Sequence, residues 1–348
     1  MKQIIGKVLF AIAAGLALSA CAGAQPVAQG TVGEMHLILA AYTTPREAFA
    51  QIIPLFQEKW AAEHNGQQVT FEESYQGSGA QSRAVVEGFE ADVVALSLEG
   101  DVTRIEDAGL ITHDWHSVGA NGMMSDSIVA FAVRAGNPDG IADWADLAQS
   151  GLEVLTPDPA SSGGAMWNIL ALYGAALRGQ VEGVPGDDPA AAKEFLKAVF
   201  TNVIVMDKSA RDSITNYEQG VGDVAISYEN EVLVGQQAGN DYELVIPTST
   251  ILIENPVALV DEYVDKHGTR EVAEAFVEFL FTPEAQEIFA THGLRSVDPD
   301  VAAAHGDQYP PVADLFDIAY FGGWAQVKDE IFGENGVFTT AIQEVQGQ

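Results

Sequence analysis

The sequence predicts an α/β fold of two lobes, with mixed, mostly parallel sheets flanked by helices and a ligand cleft between the lobes. Three observations carry this expectation. From residue 35 onward short apolar runs alternate with longer amphipathic ones, the pattern of successive βα units. Two strand-like runs, 127–134 and 249–260, lead from one such series to a second and back again. In each series a glycine-serine segment stands between a strand and a helix, and the crevice at the carboxyl ends of strands is where open α/β sheets hold ligands.

The elements follow in chain order. Residues 1–20 begin with Lys2 and Lys7, continue with the apolar run Val8 to Leu18, and end in Leu18-Ser19-Ala20-Cys21. A basic start, an apolar stretch too short to span a bilayer and small residues before a cleavage point make an export signal. The tetrapeptide resembles the bacterial lipoprotein signal box, which implies a lipid anchor on Cys21 and a membrane attached through it. Residues 21–33 are small and polar, a tether. Met35 to Ala40 is then a strand. Thr44-Pro45-Arg46-Glu47 predicts a helix start, with Thr44 as N-cap and Glu47 completing a capping box. Val69 to Tyr75 is a strand, Ser78 to Phe89 a helix and Ala91 to Leu96 a third strand. Beyond 127–134, strands are expected at 152–155, 203–206, 223–227 and 243–246. Helices are expected near 141–149, 164–177, 189–200, 211–219 and 230–238. In Glu271 to Phe281, Val272, Phe276, Phe279 and Leu280 share one helical face, a core stripe, and Thr282-Pro283 restarts a helix to His292. One lobe is therefore assigned to 34–126 plus about 251–300, the other to 127–250, and 301–348 to a C-terminal segment packing on both.

Composition excludes several classes. The 348 residues hold 16 Lys plus Arg against 50 Asp plus Glu, a formal net charge of −34. Residues 1–20 contain two lysines and no acid, so the chain after them keeps 14 basic and 50 acidic residues, net −36. No nucleic-acid partner is expected, because phosphate backbones are bound by neutralising Lys and Arg. With one cysteine there is neither a disulfide nor a thiolate metal site. His113-Asp114-Trp115-His116 announces no further metal ligands, and its histidines are expected at the surface or in structural roles. The run Gly186-Asp187-Asp188 is expected as a solvated turn. There is no H-E-x-x-H, no G-x-S-x-G and no cysteine nucleophile, so no catalytic residue, metal or cofactor is assigned.

Binding geometry is better announced. Gly77-Ser78-Gly79 and Ser161-Ser162-Gly163-Gly164 each follow a strand and open a helix, and Lys208-Ser209-Ala210-Arg211 has the same placement. At such junctions unpaired N–H groups point outward, the helix dipole favours an anion, and glycine permits close approach. Ser78 and Ser162 can each add a hydroxyl. Neither glycine segment carries the lysine of a P-loop or fits G-x-G-x-x-G, which speaks against nucleotides.

Gly77-Ser78-Gly79, Glu90 to Leu96, Gly136-Asn137-Pro138, Ser161 to Asn168, Gly222 to Glu231 and Phe321-Gly322-Gly323-Trp324, in this order, resemble the sulfate/thiosulfate-binding proteins of ABC importers, of the type 2 periplasmic-binding family. The resemblance runs from about residue 36 to 330. It implies the two-lobed periplasmic-binding fold, an ABC permease and ATPase as partners, and a location in the periplasm or on the outer face of the cell membrane. It also implies a dehydrated sulfate held by neutral donors alone: N–H groups of Thr43, Ser78, Gly163, Gly164 and Ala210, the Ser162 hydroxyl, and a side-chain donor at Tyr228. Three positions depart from the family, which usually has Asp at Thr43, Arg at Met166 and Trp at Tyr228. A tyrosine hydroxyl accepts as well as donates, so the donor-only lining is relaxed.

Sulfate offers only acceptors, whereas hydrogen phosphate needs a protein acceptor for its proton. The predicted contacts include no Asp or Glu, which puts sulfate first and thiosulfate second. Phosphate, molybdate and an enzyme acting on a sulfate or phosphate ester are the alternatives.

Overall fold

The computed structural model describes residues 33–347. The expected export signal, Cys21 and the tether up to residue 32 lie outside them. Ten strands form one curled mixed sheet. They are β1 (Met35–Tyr42), β2 (Val69–Gln76), β3 (Val93–Ala95), β4 (Met123–Arg134), β5 (Val154–Pro157), β6 (Val203–Asp207), β7 (Val224–Tyr228), β8 (Tyr242–Val245), β9 (Ser249–Leu259) and β10 (Asp314–Phe316). The helices that matter for the site are α1 (Arg46–Glu63), α2 (Ser78–Val86), α3 (Glu99–Asp107), α4 (Gly163–Leu177), α5 (Pro189–Thr201), α6 (Ala210–Glu218) and α7 (Glu229–Gln237).

The strand order is β2-β1-β3-β9-β4-β7-β5-β6. β1 runs parallel to β2 and β3, and β5 parallel to β6 and β7, so each end of the sheet is a set of βα units. Two long antiparallel strands join these ends. Ser125–Ile128 of β4 pairs with Leu252–Asn255 of β9, while Val129–Val133 turns to β7 and Val257–Leu259 of β9 turns to β3. The two strand-like runs expected to carry the chain across and back are these two strands. Their apolar residues are buried on both faces, as a sheet covered by helices requires.

Burial and polar competition explain where elements depart from expectation. The predicted Thr44 cap and its capping box do not form: α1 begins at Arg46 behind Pro45, with no side-chain cap. Glu47 is drawn instead to Arg211, whose guanidinium meets its two oxygens at 2.6 and 2.9 Å, a stronger attraction than a neutral N–H. The helix expected near 141–149 shrinks to a 3₁₀ turn at Trp144–Ala148, capped by Asp143, with Trp144 buried beneath it. The stripe Val272, Phe276, Phe279 and Leu280 is core, and Phe276 packs at 4.9 Å on Phe71 of β2 and at 5.1 Å on Phe56 of α1. The His113 ring donates to the Asp261 carboxylate at 2.7 Å, and Asp188 caps α5. Among the described residues no group of three or more His, Cys, Asp or Glu is placed to hold a metal ion.

Candidate functional site

Three helices begin at one place. The Cβ that Gly77 lacks would lie 2.6 Å from the carbonyl oxygens of both Ser161 and Lys208, so the residue before α2 is wedged between the loops leading into α4 and α6. The Ala80 N–H of α2 donates to the Ser161 carbonyl at 3.1 Å, which ties the two ends of the sheet together at this point. Local chemistry starts each helix. Ser162 caps α4 by accepting the Ala165 N–H, Ser209 caps α6 by accepting the Asp212 N–H, and Gly77 precedes α2 with an extended backbone.

The first N–H groups of a helix have no partner within it. Those of Ser78, Gly163, Gly164 and Ala210 meet no acceptor among the described residues. All four residues are buried, as is Ser162. The Ser162 oxygen is engaged as an acceptor by the Ala165 N–H at 3.4 Å, which leaves its proton to donate. Ser78 differs from expectation: its hydroxyl donates to Asp101 Oδ2 at 2.6 Å and accepts the Ser97 N–H at 3.0 Å, so only its N–H faces outward. Thr43 is half-buried and lines a cavity of about 310 Å³ with Gly77, Ser161, Lys208, Ser209 and Arg211. Met166 packs against the core.

Tyr228 closes the site from below. It ends β7, is 1% exposed, and lies against the first turn of α4, where a Cβ on Gly164 would come within 2.6 Å of its ring. Its ring centroid is 6.2 Å from that of Tyr42. Burial, the largest influence, pushes the Tyr228 phenol up and keeps it neutral. The Tyr42 hydroxyl and Thr44 Oγ1 are buried without a hydrogen-bond partner among the described residues.

Two carboxylates that sequence reasoning missed stand around this lining. Asp101 in α3 takes the Ser78 hydroxyl on one oxygen and Arg104 at 2.7 Å on the other. Glu231 in α7, 1% exposed, is paired with Arg211 at 2.6 Å. Burial raises its carboxyl above the usual range, against the pull of Arg211. Asp101 is matched by Arg104, and Glu231 shares Arg211 with Glu47; a first-turn Asp or Glu carries no sequence signal that separates it from an ordinary helix-start acid. Ser97, after β3, was also missed. Its carbonyl accepts the Trp167 indole N–H at 2.9 Å and the Asn255 amide at 3.1 Å, and its hydroxyl lies 2.5 Å from that of Tyr228. The site therefore offers unpaired neutral donors in a buried spot, suited to a small, fully ionised oxyanion.

Comparison with known proteins agrees with this chemistry. The family model described as "Bacterial extracellular solute-binding protein" matches residues 37–295. A "Sulfate-binding protein" of Synechocystis sp. is 45% identical over 89% of this chain and 87% of its own length. Another "Sulfate-binding protein", from Synechococcus elongatus, is 41% identical over 100% of this chain and 98% of its own. Among solved structures, the sulfate-binding protein SubI from Mycobacterium tuberculosis superposes with a TM-score of 0.78 at 38% identity, covering 86% of this chain and 100% of that one. The chain belongs to the bacterial extracellular solute-binding proteins, in the same family as these sulfate-binding relatives.

Proposed function

We propose that this protein captures sulfate and delivers it to the permease and ATPase of an ABC importer, as a carrier that performs no covalent chemistry. The observation that carries the reading is the meeting of three helix starts at Gly77, Ser161 and Lys208, each with unpaired N–H groups and one with the Ser162 hydroxyl. A dianion there exchanges its water for fixed donors in a low-dielectric surrounding, where each hydrogen bond is electrostatically stronger. The contacts are the N–H groups of Thr43, Ser78, Gly163, Gly164 and Ala210, the Ser162 hydroxyl and the Tyr228 phenol. Residues 34–126 with about 251–300 form one lobe and 127–250 the other; β4 and β9 are the hinge, and closure brings Gly77 onto Ser161 and Lys208. Cys21 carries the lipid that holds the carrier in the periplasm or on the outer face of the membrane.

The test is calorimetric titration of refolded, anion-free protein with sulfate, thiosulfate, phosphate and molybdate. Sulfate is expected to bind most tightly. Tight phosphate binding with no response to either sulfur oxyanion overturns the reading. The wild-type chain is expected in the membrane fraction and a Cys21→Ser chain in the soluble one; an identical distribution removes the anchor.

A further inference from the structure

We infer that Ser97 determines the anion selectivity of this site through Tyr228: its hydroxyl donates to the phenol oxygen, so the free O–H of the pair belongs to Tyr228 and is aimed at the ligand. The inference rests on the oxyanion-carrier reading and adds to it a residue that touches the ligand only through its neighbour. Tyr228 alone is an ambiguous group, since a phenol donates one hydrogen bond and accepts others. An acceptor in the lining would admit an anion that still bears a proton.

The pairing with Ser97 narrows that ambiguity. Ser97 is held from both sides, its N–H donating to Ser78 Oγ at 3.0 Å and its carbonyl accepting from Trp167 and Asn255 at 2.9 and 3.1 Å. Its hydroxyl is 2.5 Å from the phenol oxygen, and both residues are 1% exposed. Neither hydroxyl has a second polar partner among the described residues. Two hydroxyls bring two protons; one lies between them and the other is left for a ligand. The phenol is the stronger acid, so its proton goes to the dianion, the stronger acceptor, and the serine proton goes to the phenol oxygen. Donation from Ser97 polarises the phenol and strengthens its outward bond. The same bond occupies one of the phenol's two lone pairs and leaves less acceptor capacity for the proton of hydrogen phosphate. Missing side chains make room for the pair on the first turn of α4: a Cβ on Gly163 would lie 2.6 Å from Ser97 Oγ, and one on Gly164 3.2 Å from the Tyr228 hydroxyl.

The experiment titrates sulfate and inorganic phosphate into wild type, Ser97→Ala, Tyr228→Phe and the double variant, with thermal melting as the check on folding. Ser97→Ala is expected to lose up to about tenfold in sulfate affinity, the upper size of one neutral hydrogen bond. Its phosphate affinity is expected to hold or rise, so the ratio between the anions narrows. Tyr228→Phe should lose as much for sulfate with no gain for phosphate, and the double variant should be no worse than Tyr228→Phe. In the Ser97→Ala background, Tyr228→Trp, whose indole only donates, should restore the ratio. An unchanged ratio in Ser97→Ala, simple addition of the two losses, or no rescue by tryptophan overturns the inference. Wild-type protein that is folded and ignores sulfate sinks the carrier reading itself, whereas wild type that binds sulfate while Ser97→Ala matches it sinks only the role of Ser97.

Discussion

Gly77 shows how much of this site depends on single atoms that are absent. Its φ of −57° is ordinary for any residue, so the backbone itself does not require glycine here. What requires it is two carbonyl oxygens 2.6 Å from the place of its Cβ, and carbonyls of the main chain cannot rotate away as a side chain can. Gly77→Ala is therefore expected to cost about 1–3 kcal/mol of stability by overpacking and to lower sulfate affinity, because the start of α2 is pushed off those of α4 and α6. Melting temperature and calorimetric titration read the two effects separately; a variant with unaltered affinity would show that the contact of Gly77 with Ser161 and Lys208 is not needed for capture. The glycine-serine segments were legible as helix starts in both series of elements. That Ser78 spends its hydroxyl on Asp101, and that Ser97 anchors Tyr228, was not, because those partners lie 23 and 131 residues away in sequence.

At the scale of the element, the crossing of β4 and β9 holds the most unusual charge arrangement. Asp126 and Glu254 are directly opposed across the two strands, where like charges destabilise a sheet. Burial, then Glu254, pushes the Asp126 carboxyl up to about 7 in spite of Arg295. Arg295 is itself engaged by Glu229 at 2.8 and 2.9 Å, and Asp317 and Glu99 raise Glu254 after its own burial. A carboxyl whose folded value lies above its unfolded one favours the protonated fold. Its contribution is complete below about pH 4 and is lost as the pH rises through 7, up to about 4 kcal/mol. Urea denaturation should accordingly find Asp126→Asn more stable than wild type at pH 8 and close to it at pH 4. A difference of the same size at both values would show that Asp126 does not titrate in this range.

For the whole molecule, net charge sets the terms of capture. At −34, the protein's overall field repels the anion it is read to bind, so affinity has to come from local dipoles and neutral donors. Raising ionic strength from 0.01 M to 0.15 M shortens the screening length from about 30 to about 8 Å. The sulfate association rate, followed by stopped-flow fluorescence, is expected to rise over that interval, and the melting temperature with it as self-repulsion weakens. An association rate that falls with salt would mean that a local attractive field, and not the total charge, governs approach.

The order of strands β1 to β9, most of the helices between them and the glycine-serine helix starts were written locally, in apolar periodicity and in glycine, serine and proline at element ends, whereas α3 and β10 were not. Such signals act over a few residues and survive whatever the rest of the chain does. The capture of Glu47 by Arg211, the matching of Asp101 with Arg104 and Glu231 with Arg211, and the hydrogen bond from Ser97 to Tyr228 were settled only by the tertiary structure. In each, a polar group removed from water takes the strongest partner that folding brings within reach, and most of those partners are distant in sequence.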